Sequence, residues 1–409
     1  MNAELQINNS AQPAVQFVTW APSPARVRIT NPAGSTGPTA VLRISGTSTT
    51  TGGAVNFRQG ATGQLTTTLN LTVPTNNTWV PFFIAGRFGS PSTSLNDVKV
   101  EVRFGTTLVG SSQCTVRIRK NANTLTPGER DRFIAAFAQL NNQGNGPFRL
   151  FRDMHVPLSL SQGHGAPGFL PWHRAYLLDL ERELQVIDAS VALPYWRFDR
   201  AAANIFTRDF LGVADQNGFV QFSATNPLRF WVTDGIPGIN RTPLFPTNTA
   251  PPGLRNETDT LALGGSGNLY AQFRRMERNP HGFAHTSFGG SIEDPATAAK
   301  DPLFFLLHCN VDRLWAKWQK RFARFDPAVA ASFDSTPSPA GHNLPNTMWP
   351  WNGVTGGSRP PNAPGGPLAA SPTVAAPGGQ PRVRDLLDYQ GNINATSCEG
   401  FDYDDVPFV

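Results

Sequence analysis

From Val27 to about residue 120, apolar side chains recur at every second position. Val27 and Ile29, then Leu69, Leu71 and Val73, then Val98, Val100, Val102 and Phe104 alternate with Arg, Thr, Asn, Lys and Glu. A period of two turns one face of a strand to a core and the other to water. Clusters of Gly, Ser, Thr and Pro interrupt at short intervals, which predicts an all-β sandwich of roughly seven or eight strands.

The period changes at Thr126-Pro127-Gly128-Glu129. Thr126 suits an N-cap, Pro127 the first helical position, and Glu129 closes a capping box. Phe133, Phe137 and Leu140 follow at helical spacing. A second predicted helix starts at Pro171 and lines up Tyr176, Leu177, Leu180, Leu184 and Ile187. A third carries Phe304, Leu307, Val311, Leu314, Trp315 and Trp318. The chain therefore reads as two domains, a β sandwich over 1–121 and a mainly α core over 122–409. Residues 321–400, rich in Pro and Gly, read as a covering segment with little regular structure.

Composition narrows the function classes. The 409 residues carry a net charge of +5, but Lys and Arg are scattered, and no basic run is interleaved with aromatics. That speaks against nucleic acid as a partner. No apolar run approaches a membrane span, and the start MNAELQINNS lacks the blocks of a signal peptide. A cytoplasmic product is the default expectation, with export alongside a partner protein left open. Cys114, Cys309 and Cys398 are odd in number and far apart, so no disulfide framework is expected.

Histidine is the informative residue. Six of the seven fall into two groups of three: His155, His164, His173, then His281, His285, His308. His281 and His285, four apart, share a face on a helix. His173 and His308 lie on the apolar stripes of their helices. One such histidine is ordinarily a satisfied core residue; six grouped this way point to metal. His342 reads as a loop histidine. Imidazole suits Zn, Cu, Fe and Ni. The H-E-x-x-H pattern of zinc hydrolases is absent, since Gly282 follows His281, and the carboxylate pattern of di-iron bundles is missing too. Three neutral imidazoles per ion favour a copper pair.

Three stretches, GHGAPGFLPWHRAYLLDLERELQ, MERNPHGFAHTSFGG and DPLFFLLHCNVDRLWAKWQ, together resemble the tyrosinase/polyphenol oxidase family of type 3 copper proteins. The likeness runs over about residues 115–409 and takes in LPYWRFD and a terminal FDYDD. It implies a four-helix bundle holding two copper ions, with dioxygen as co-substrate and small phenols as substrates. His155, His164 and His173 would hold one ion; His281, His285 and His308 would hold the other. His155 rests on the context FRDMH alone.

Several positions depart from the family pattern. Gly282 stands where efficient monophenol hydroxylases often carry Asn or Asp, while Glu277 matches an acidic residue that orients a proton-accepting water. The plain alternative for Glu277 is a solvated carboxylate at a helix start. Gln162 and Gly163 leave no cysteine for a thioether to the second histidine, and Cys309 reads as a packed small residue. The loop GGSIEDPATAAK holds nothing larger than Ile292, and Thr286 is small, which suggests an open mouth.

The resemblance thus implies oxidation of ortho-diphenols, extending to ortho-aminophenols, with weaker hydroxylation of monophenols. A haemocyanin-like dioxygen carrier is the rival reading, and a surface-binding protein with a vestigial core is a second. The β domain stands before the core as a shield, an assembly or binding module, or a folding aid. A copper-loading partner and a homo-oligomer stay open.

Overall fold

A computed structural model describes all residues except 14, 15, 49, 51, 157–159, 358 and 409. The chain forms two compact units. One comprises Met1–Ile118, Ser371–Ala375 and Gly400–Val409; the other comprises Arg119–Ala370 and Ala376–Glu399. The division read from sequence, 1–121 and 122–409, differs at the C-terminal end, where two short stretches group with the β unit. A long-range clasp holds the second of these, Gly400–Val409. The Asp402 carboxylate accepts from the backbone N–H groups of Trp20 (2.8 Å) and Ala21 (3.2 Å), and the Trp20 indole donates to the Tyr403 carbonyl at 2.8 Å.

The first unit holds nine strands among the described residues: β1 (Asn2–Ile7), β2 (Phe17–Val18), β3 (Ser23–Asn31), β4 (Thr39–Ser48), β5 (Val55–Arg58), β6 (Thr68–Pro74), β7 (Val80–Gly86), β8 (Val98–Phe104) and β9 (Thr107–Val116). They make one sheet in the order β1-β3-β7-β5 and another in the order β2-β9-β8-β4-β6. Among the described strand pairs of this unit, only β2–β9 is parallel. The alternating residues meet in a shared core: Val27 and Ile29 of β3, Leu42 and Ile44 of β4, and Val98, Val100 and Val102 of β8 are fully buried.

The second unit is mainly helical, with three small two-stranded sheets between residues 213 and 290: α1 (Pro127–Asn141), α2 (Phe148–Met154), α3 (Leu160–Gly163), α4 (Phe169–Ile187), α5 (Glu257–Leu261), α6 (Tyr270–Phe273), α7 (Phe283–Thr286) and α8 (Leu303–Phe322). The capping box of α1 forms: Thr126 Oγ1 accepts from the Glu129 N–H, and the Glu129 carboxylate accepts from the Thr126 N–H. Three helices run 15 to 20 residues, α1, α4 and α8. Residues 270–286 are instead a run of short helical turns broken at Asn279 (φ −146°, ψ 114°). Four long helices are thus not what the described residues show. No described helix is long and apolar enough to cross a membrane.

α4 and α8 are buried almost all round, so both form the centre of the unit. Their charged residues are paired. Arg119 meets Glu181 at 2.7 Å and Asp312 at 3.2 Å, and Arg174 meets Asp312 at 2.7 Å, all in the interior. Losing one partner from such a set costs roughly 3–5 kcal/mol, because a charge is stranded in low dielectric. Of the described residues in 323–370 and 376–399, several lie over α4, and these stretches carry only short 3₁₀ turns of their own. The Trp351 indole donates to Asp179 (2.8 Å), the Trp172 indole to the Trp349 carbonyl (2.7 Å), and Arg182 to the Ala369 and Ala376 carbonyls.

Candidate metal centre

The six grouped histidines converge as two triads. His155, His164 and His173 bring one ring nitrogen each to within 4.8 Å of one another, and so do His281, His285 and His308. The triads adjoin. The rings of His173 and His308 stack with centroids 4.2 Å apart, and His164 lies 6.2 Å from His281.

Local backbone aims four of the rings. His173, one turn into α4, donates Nδ1–H to the carbonyl of Phe169 four residues earlier (2.8 Å). His281 repeats this with the Glu277 carbonyl at 2.7 Å. His155 ends α2 and donates to the Pro295 carbonyl (3.0 Å), and His285 donates to the Ile292 carbonyl (2.8 Å). One loop thereby anchors a histidine of each triad. With Nδ1 spent as donor, Nε2 keeps its lone pair for a ligand.

α4 starts at Phe169, two residues before the predicted start, and this brings the Phe169 carbonyl into the helix and within reach of His173. Phe169 and Phe304 are fully buried and flank the triads. Phe169 sits 4.9 Å from both His173 and His281, and Phe304 lies 4.7 Å from His155 and 4.2 Å from His308. Phe304 was visible only as a stripe position, and Phe169 only as an apolar residue ahead of the predicted helix.

The unpaired nitrogens fit a metal. His155 Nε2 and His173 Nε2 are buried without a hydrogen-bond partner among the described residues. His308 Nε2 stands 3.3 Å from His281 Nε2 and 3.2 Å from His285 Nε2. Two imidazole nitrogens each about 2.0 Å from one tetrahedral ion are roughly 3.3 Å apart. Burial pushes all six basicities down, and neighbouring imidazoles add to this at five of them. His155 falls to about 3, and burial alone takes His285 to about 4; the other four drop well below the usual histidine value. The rings are neutral, which is the ligating form.

Glu277 is half-buried beside this centre. Its Oε1 accepts from the Gly165 N–H at 2.6 Å, and burial pushes its carboxyl up to about 7. Its carboxylate is thereby tied to the residue that follows His164 in the chain. Gly282 begins α7, and a Cβ built there would meet only the Glu277 carbonyl, at 3.5 Å. Cys309 is buried and donates Sγ–H to the Leu193 carbonyl (3.5 Å). Ile292 is fully buried, so its side chain says nothing of the mouth; its carbonyl is the functional part.

His342 is a buried brace, not a loose loop residue. Its Nδ1 accepts from the Gly168 N–H (2.9 Å) and its Nε2 donates to the Ser161 carbonyl (2.6 Å). It ties α3 to the start of α4 on either side of His164. Gly168 is required there, since a Cβ would lie 2.6 Å from the His342 ring.

A family model described as the common central domain of tyrosinase matches residues 145–321. The tyrosinase of Streptomyces glaucescens is 34% identical over 58% of this chain and 92% of its own length. That of Streptomyces antibioticus is 33% identical over 58% and 94%. Among solved structures, deoxygenated hemocyanin from Rapana thomasiana superimposes with a TM-score of 0.49 at 23% identity, over 71% of this chain and 70% of that one. The chain belongs to the tyrosinase family and is a copper oxidoreductase whose cofactor is a dinuclear type 3 copper pair.

Proposed function

We propose that His155, His164 and His173 hold one copper ion, that His281, His285 and His308 hold the other, and that the chain oxidises ortho-diphenols and ortho-aminophenols with dioxygen. The ligand-bearing pieces α2, α4, residues 270–286 and α8 serve as the four-helix bundle. The observation that carries the reading is the convergence of six neutral imidazoles into two adjoining triads. Bound copper supplies the electron exchange between phenol and dioxygen. Each diphenol loses two electrons and two protons to become an ortho-quinone, and one dioxygen takes up four of each from two rings, leaving two waters.

The protein's part is placement and exclusion. Nδ1 anchors fix the imidazole planes, and Phe169 and Phe304 keep water from the ligand faces. Glu277, whose carbonyl anchors His281, takes the position of the carboxylate that orients a proton-accepting water. Gly282 leaves that carboxylate without a side-chain helper, so hydroxylation of monophenols runs slower than diphenol oxidation.

Oxygen uptake by the copper-loaded chain on 4-tert-butylcatechol and 4-tert-butylphenol tests the reading. Rapid uptake with the catechol and slow uptake with the phenol is expected. A chain that binds two coppers and reversibly takes up dioxygen without consuming catechol is a carrier, and the reading falls.

A further inference from the structure

A cavity of about 870 Å³ opens beside the residue that follows His164 and the first turn of α7. Its wall includes Gly165, next to His164, and Phe283, between His281 and His285. Four arginines, Arg255, Arg274, Arg275 and Arg278, share that wall with a single carboxylate, Glu277.

These arginines differ from four fully buried ones in the same unit. Arg119, Arg174, Arg241 and Arg313 are each paired with a carboxylate at 2.7 Å. At the cavity, Arg255 is spent on the Asn279 carbonyl (2.7 Å), which fixes its plane, and Arg274 has only a 3.8 Å approach to Asp334. Arg275 and Arg278 are exposed and have no carboxylate partner among the described residues. A cleft lined by one sign of charge focuses field and concentrates the opposite ion. Guanidinium is also the group best shaped to take a carboxylate in two parallel hydrogen bonds. Phe283, 40% exposed, offers a ring face in the same wall.

Resting on the dicopper oxidase reading, we infer that this cavity selects phenols carrying a carboxylate. The diphenol ring lies against Phe283 with its hydroxyls toward the histidines, and the carboxylate points out to Arg275 and Arg278.

The test compares 3-(3,4-dihydroxyphenyl)propanoate with its methyl ester on the copper-loaded chain. Two methylenes insulate the ring from the carboxylate, so the pair differs in charge and hardly in ring chemistry. The acid is expected to exceed the ester in kcat/KM by about tenfold, mostly through KM, within the range that steering by a charged cleft supplies. Arg275→Gln/Arg278→Gln should bring the acid-to-ester ratio to within about twofold, and raising salt should erode it in the wild type. Calorimetry with 3-phenylpropanoate and 3-phenylpropanol, neither a diphenol, reads the same preference without turnover. If no diphenol is consumed, the oxidase reading fails, and calorimetry still decides on the arginines. An ester used as well as the acid, or an acid preference untouched by the double substitution, overturns the inference.

Discussion

The imidazole of His173 lies parallel to that of His308, 4.2 Å away and 10° from coplanar, although the two residues sit on different helices. His308 Nδ1 has no hydrogen-bond partner among the described residues. Its ring plane is therefore set by packing, by His173 on one side and by Phe304, 4.2 Å away, on another. α4 and α8 must keep their mutual register for the two triads to adjoin.

Phe304 touches both triads, so its removal should loosen both. Phe304→Ala is expected to cost roughly 3–5 kcal/mol of stability, as for a large buried ring, and to weaken copper retention at each triad. Denaturant unfolding of the copper-free chain and copper content after gel filtration check this. A stable variant with full copper would contradict the role given to the ring.

The Glu277 and Gly282 pair makes a substrate prediction. A side chain at position 282 has room, with only the Glu277 carbonyl at 3.5 Å. Gly282→Asn should raise the monophenol-to-diphenol rate ratio several-fold, roughly the 1 kcal/mol that one added hydrogen bond supplies. Adding Glu277→Gln in the same chain should remove the gain. Matched initial rates on tyramine and dopamine measure it; a ratio that ignores both substitutions sinks the assignment.

Glu399 is buried with neither carboxylate oxygen hydrogen-bonded among the described residues, and burial pushes its carboxyl up to about 8. Unfolded, such a group titrates near 4.3. Between those values the folded chain binds the extra proton, so this group's contribution to stability falls as pH rises from about 4.3 to 8. Glu399→Gln should therefore gain on the wild type across that window. Urea midpoints at pH 5 and pH 8 test it, and a difference that shrinks toward pH 8 would contradict it.

The clasp of Asp402 on Trp20 predicts that the C-terminal tail stabilises the β unit. Asp402→Ala strands two backbone donors, at about 1–3 kcal/mol. Tryptophan fluorescence during urea unfolding should report the loss, and an unchanged midpoint would remove the clasp as a stabilising contact.

Much of this was legible in the chain, and the rest was not, for physical reasons. Alternation at Val98, Val100 and Val102 marks β8 because a half-buried strand needs it. The two histidine groups stand out because imidazole is rare here and clustered. The carbonyls of Ile292 and Pro295 leave no mark, since every residue has one and only the fold aims it at a ring. His342 looked idle because its partners, Ser161 and Gly168, lie over 170 residues away. Asp402 and Trp20 are 382 positions apart, so the tail's place in the β unit had no local signature. Arg274, Arg275 and Arg278 passed as part of a scattered positive charge; only the cavity gives them a common target.

Metal analysis of the purified chain after copper loading tests the centre most directly. The account predicts two coppers per chain, falling to one in His155→Ala/His173→Ala and to one in His281→Ala/His285→Ala, with circular dichroism unchanged. A wild type that saturates at one copper, or a chain that keeps both ions after losing either pair of histidines, would contradict it.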